Sequence, residues 1–144
     1  EDKTIDDLKI SFVPSRNPDD IAVATKPMAS LLQDELKKQG YTVKKVDVTV
    51  GTNFEAVGEA LASGAADVGY GVPGSTYALY KDDVNVILTA TRAGLNKDSS
   101  DAKDWNDGKA TEPTDKQATS YRSILVTGPS EKGQALAKKV NAGE

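Results

Sequence analysis

The run Asp67-Val68-Gly69-Tyr70-Gly71-Val72-Pro73-Gly74-Ser75-Thr76-Tyr77-Ala78-Leu79 holds the residue types best suited to gripping a small anion. It reads as a short buried strand that turns through glycines and a proline into a helix opening with Ser75 and Thr76. Such a junction aims free backbone N–H groups and two hydroxyls at one point, with the positive end of a helix dipole behind them. An oxyanion site of this kind needs no catalytic residue. The plainer reading is that Ser75 only caps its helix, a task Ser performs in many proteins. Arg92 is the charge best matched to phosphate, because a guanidinium pairs with it bidentately. An exposed ion pair with a nearby acid explains Arg92 equally well.

The composition narrows the chemistry further. With no cysteine and no histidine, the chain has no disulfide, no thiol nucleophile, no thiolate metal site and no imidazole base. A Ser-His-Asp machine cannot be built within it. Its 144 residues suffice for a domain with its own core. The formal net charge is −4 and the basic residues are scattered, which argues against a broad nucleic-acid footprint. Asp19-Asp20 and Asp82-Asp83 are the acidic pairs that could meet Mg²⁺, but adjacent acids on solvent loops usually bind nothing, and neither a metal nor a cofactor is expected. No apolar run approaches a membrane span, and the chain opens with a polar stretch, Glu1 to Asp7. If the protein is exported, its targeting segment lies outside this sequence.

The elements that must position these residues follow from hydrophobic periodicity and breakers. Leu8 to Val13 alternates and ends at Pro14, predicting a first strand. Pro27 to Gln39 predicts a helix with Met28, Leu31, Leu32 and Leu36 on one face, stopped by Gly40, while Ile21 to Lys26 stays open between helix and loop. Tyr41 to Val50 is β-branched and reads as the second strand. Thr52 and Glu55 have capping-box spacing, so Thr52 is expected to cap a helix carrying Phe54, Val57 and Leu61. Ala66 to Tyr70 is the third strand, Ser75 to about Tyr80 a helix, and Val84 to Ala90 a fourth strand. Residues 93–120 lose the pattern and read as a long polar loop, with Trp105 either walling a lid or pinning a surface excursion. Tyr121 to Val126 predicts a fifth strand, and Ser130 starts a last helix through Val140.

Alternating strands and helices predict a three-layer α/β lobe around a largely parallel sheet. Ligands of such sheets sit beyond the carboxyl ends of the strands. The loops there, after Val13, Val50, Tyr70 and Ala90, bring Ser15 and Asn17, Thr52 and Asn53, Ser75 and Thr76, and Thr91 and Arg92. That convergence favours the site reading of Ser75 over the cap reading.

In their order and spacing, several of these segments resemble the first lobe of the phosphate/phosphite/phosphonate-binding proteins of ABC transporters. They are Phe12-Val13-Pro14-Ser15 with Asn17-Pro18, Thr52-Asn53-Phe54-Glu55-Ala56-Val57 followed by Ala60 to Gly64, Ala66 to Tyr77, and Tyr121 to Val126. The resemblance runs from about Leu8 to Gly133. It implies a type II periplasmic-binding-protein lobe, one of two joined by a hinge, that captures phosphate, phosphite or an organophosphonate for a membrane permease. It also implies a place outside the cytoplasm, in the periplasm or as a lipoprotein on the outer face of the cell membrane, with the anchor outside this chain. Carried over by position, Ser15, Thr52, Phe54, Tyr70, Ser75, Thr76 and Tyr121 face the ligand, and Phe54 lacks the hydroxyl of the Tyr that relatives often place there. Members of the family are about twice as long, so the chain is expected to be a single lobe that binds weakly alone and exposes a face prone to self-association.

Two other functions stay in view. A ligand-sensing α/β domain for another small anion would need a signalling or DNA-binding segment. A phosphate-handling enzyme domain would want a Gly-rich loop after the first strand, and Pro14-Ser15-Arg16-Asn17-Pro18 is not one. Non-covalent binding without catalysis is the expected function.

Overall fold

Ile10 explains the centre of the fold. It sits on a nine-residue strand, β1 (Thr4–Phe12), flanked by a parallel neighbour on each side. The computed structural model describes residues 3–144. Within them β1 pairs with β2 (Thr42–Val50) from Thr4↔Thr42 to Phe12↔Val50, and with β3 (Val68–Tyr70) from Ile10↔Val68 to Phe12↔Tyr70. The sheet order is β2-β1-β3, all parallel. A strand inside a parallel sheet is covered on both faces, and β1 obeys: Ile10 on one side and Ser11 and Val13 on alternating positions are all buried. Val43, Val57 and Ala66 complete this small core.

The connections are helical. α1 (Pro18–Thr25) and α2 (Met28–Lys38) link β1 to β2, and α3 (Phe54–Ala62) links β2 to β3. The undecided stretch from Ile21 is thus helix, started by Pro18 and by Asn17, whose side chain accepts from Asp19 N at 2.9 Å. On α2 the stripe is Met28, Leu32 and Leu36, each partly buried, while Leu31 points outward. Asp67 seats β3: its carboxylate accepts from Lys9 N at 2.8 Å and its own N–H donates to Lys9 O at 2.8 Å.

One cap differs from its expectation. The N-cap of α3 is Asn53, not Thr52; the Asn53 side chain accepts from Ala56 N at 2.7 Å. Asn and Thr are both good caps, but the residue in extended backbone (φ −155°, ψ 178°) immediately before the helix is Asn53. Asn53→Ala is therefore expected to cost about 1 kcal/mol in urea unfolding and Thr52→Ala about zero. The opposite ranking would restore Thr52 as the cap.

The chain divides into two compact units, the first running to Ile87 and the second from Leu88 to Glu144. The second unit departs most from the sequence reading. Residues 93–120 are not a plain loop: β4 (Arg92–Leu95) and β5 (Pro113–Ala118) pair antiparallel, with the single-turn α5 (Ala102–Trp105) between them. Side chains hold this hairpin where apolar alternation is lacking. Asn96 bridges to Ala110 O and Glu112 N, and Lys97 Nζ meets Asp107 Oδ1 at 2.6 Å and Lys109 O at 2.8 Å. The Lys97 ammonium, helped by the Lys109 N–H, holds the Asp107 carboxyl below the usual carboxylate range. Trp105 is half-buried and donates Nε1–H to Ser99 O at 2.9 Å, so it pins the excursion.

Neither Val84 to Ala90 nor Tyr121 to Val126 is a strand. Both are apolar and β-branched, yet neither finds a ladder partner among the described residues, and Leu88 and Leu125 stay 85% and 99% exposed. High β-propensity reflects packing on a sheet more than an intrinsic backbone preference, so without pairing it produces no strand. The final helix, α6 (Glu131–Ala142), starts as expected from Ser130, whose hydroxyl accepts from Gly133 N at 3.1 Å. No helix among the described residues is long and apolar enough to cross a membrane.

Candidate functional site

Parallel pairing sends the loops after β1, β2 and β3 off one edge of the sheet. The last rungs there are Gly51 N to Phe12 O at 2.8 Å and Val13 N to Tyr70 O at 3.1 Å. From β1 the chain crosses to β2 on one side, then passes from β2 over to β3 on the other. This reversal makes the gap between the ends of β1 and β3 a topological switch point, the place where α/β sheets hold ligands.

Ser15 leaves that gap on the β1 side in a tight turn, its N–H donating to Val13 O at 2.8 Å. Tyr70 ends β3 on the other side, and Phe12 stacks on it with ring centroids 4.9 Å apart and planes 19° from parallel. Phe12 was not singled out by sequence, although its place as the last residue of β1 marks it. Gly71 then turns the chain with φ +74°, a conformation side chains other than glycine adopt poorly. The helix α4 (Gly74–Tyr80) follows.

Ser75 is not the cap of α4. The helix starts at Gly74, its N-cap position is Pro73, and no side chain caps it. Ser75 and Thr76 lie in the first turn, Ser75 exposed and Thr76 only 5% exposed. Thr52 and Phe54 stand exposed at the start of α3, on the same sheet edge. Asn17 and Asn53 are occupied as caps, whereas the hydroxyls of Ser15, Thr52, Ser75 and Thr76 take no hydrogen-bond partner among the described residues. Six of the sequence-selected residues, Ser15, Thr52, Phe54, Tyr70, Ser75 and Thr76, thus belong to one edge of one unit.

Arg92 and Tyr121 belong to the second unit, on β4 and on an unpaired segment rather than on the loop and strand expected of them. They are brought to each other: the Arg92 guanidinium lies 5.1 Å from the Tyr121 ring centroid, a cation–π geometry. The neighbouring Arg122 pairs with Asp98.

A parallel α/β lobe with hydroxyl-bearing loops at its switch point has the architecture in which α/β sheets that bind ligands place them. The chain belongs to the phosphonate ABC-transporter periplasmic substrate-binding proteins, whose family model matches residues 10–141. Searches of curated proteins and of solved structures gave no match. The family is a transport family of the extracytoplasmic space.

Proposed function

We propose that the protein captures a phosphonate, or the closely related phosphate or phosphite, outside the cytoplasm and hands it to the permease of an ABC importer. The family match over residues 10–141 carries this reading. The unpartnered hydroxyls of Ser15, Thr52, Ser75 and Thr76 at the switch point support it, since a phosphorus oxyanion is acceptor-rich and needs donors to replace its hydration. Phe54 and Tyr70 are the aromatic surfaces beside those donors and suit the organic substituent of a phosphonate. Binding is non-covalent, with no bond made or broken in the ligand. A lipid anchor would keep such a protein beside its permease.

Isothermal titration of the full-length natural protein with phosphate, phosphite, methylphosphonate and 2-aminoethylphosphonate tests the reading. Saturable binding of at least one, with Kd of about 1 μM or below, is expected, equivalent to ~8 kcal/mol. Silence toward all four would remove the phosphorus assignment and leave a binder of some other small anion.

A further inference from the structure

We infer that Gly58, in the second turn of α3, is a positioning residue for ligand binding. This rests on the function proposed above and adds to it a residue that touches no ligand. Gly58 is fully buried where α3 meets α4. A Cβ placed on it would lie 2.5 Å from Cδ2 and Cε2 of the Tyr80 ring and 3.2 Å from Cγ2 of Thr76. The missing side chain is therefore what lets α4 close onto α3.

Both ends of α4 feel that contact. Tyr80 closes the last turn of α4, and Thr76 sits in its first turn. The γ-methyl of Thr76 faces Gly58, which turns its hydroxyl elsewhere and fixes the side chain's rotamer by packing. Because α3 and α4 both start at the carboxyl edge of the sheet, their spacing sets how far the Thr76 and Ser75 hydroxyls stand from Thr52 and Phe54. A methyl added at Gly58 strikes the Tyr80 ring and crowds the Thr76 methyl, so the ring and the first turn of α4 must shift away from α3. Donor groups displaced by a fraction of an ångström lose hydrogen bonds that depend steeply on geometry.

Gly58 also separates position from stability. Alanine is a far better helix former than glycine, so Gly58→Ala gains locally in α3 what it loses at the contact. Affinity and thermal stability are then expected to part ways.

The experiment titrates methylphosphonate into the full-length natural protein and into Gly58→Ala, Tyr80→Ala and Gly58→Ala/Tyr80→Ala, with melting temperatures for all four. Gly58→Ala is expected to bind at least about tenfold more weakly, with a melting temperature within a few degrees of the parent. The double variant, which removes the ring in the way, is expected to regain most of the affinity lost by Gly58→Ala. Unchanged affinity in Gly58→Ala overturns the inference. So does equal weakening in Gly58→Ala and the double variant, because the defect would not then pass through the Tyr80 contact. A parent silent toward methylphosphonate is titrated, with its variants, by whichever of phosphate, phosphite or 2-aminoethylphosphonate it binds, and silence toward all four defeats the proposed ligand class and takes this inference with it.

Discussion

Replacing Ser75 and Thr76 together by alanine is expected to weaken phosphonate binding by the full-length natural protein about 100-fold or more. A hydrogen bond to a charged group contributes about 1.5–3 kcal/mol, and each tenfold in affinity is ~1.4 kcal/mol. Losing two such donors therefore accounts for two decades or beyond. The backbone change is minor, since alanine is the better helix former at both positions. Thr25→Ala is the matched control. Thr25 also lies in a helix, but its hydroxyl is already bonded to Ile21 O at 2.8 Å, and it stands on α1. Titration calorimetry of the three proteins decides the matter. A double variant that binds like Thr25→Ala would put the anion elsewhere, whereas a large loss with an unchanged melting temperature fixes the donors at the β3–α4 junction.

The second large effect falls on stability. Ile10→Ala is expected to destabilise the first unit by about 2–5 kcal/mol, against a total of ~5–15 kcal/mol for an ordinary domain. Ile10 is 1% exposed, at the centre of the sheet's middle strand, in register with Val48 on one side and Val68 on the other. The buried set around it is short, namely Val13, Val43, Val57 and Ala66, so few neighbours can collapse into the space left behind. Urea unfolding followed by far-ultraviolet circular dichroism reads the loss. Val86→Ala, at an exposed apolar position, is expected to change little. A midpoint for Ile10→Ala within error of the parent would mean that the core does not close around β1.

The first unit was legible because its signals are local and agree with one another. Pro27 and Gly40 bracket a helix, Gly51 ends a β-branched run, and apolar spacing chooses the same elements as the breakers. The Thr52 assignment missed by one residue, since two adjacent good caps cannot be ranked by spacing alone; the hydrogen bond from Ala56 N goes to Asn53. That the candidate residues share an edge was legible for the same reason: once the strands are parallel, the loops that follow them leave the sheet on one side.

The second unit was less legible in both directions. Val84 to Ala90 and Tyr121 to Val126 have the composition of strands, but a strand exists only with a partner, and composition does not name one. Pro113 to Ala118 carries no apolar alternation, yet it forms β5 because Asn96 and Lys97 bond the backbone across the hairpin. Gly58 was hidden for a related reason. A glycine inside a helical pattern looks like a small local cost until the neighbouring helix is seen resting on it.

Trp105 gives the protein an optical asymmetry. It is the one tryptophan in the sequence, it lies in the second unit, and its indole is tied to Ser99 while half-shielded from water. Excited at the red edge, where tyrosine is silent, its emission reports on the β4–β5 hairpin and leaves the parallel sheet of the first unit dark. The chain thus carries an intrinsic fluorophore that follows one half on its own, and any ligand-induced change in its colour would be news arriving from the unit that does not hold the hydroxyls.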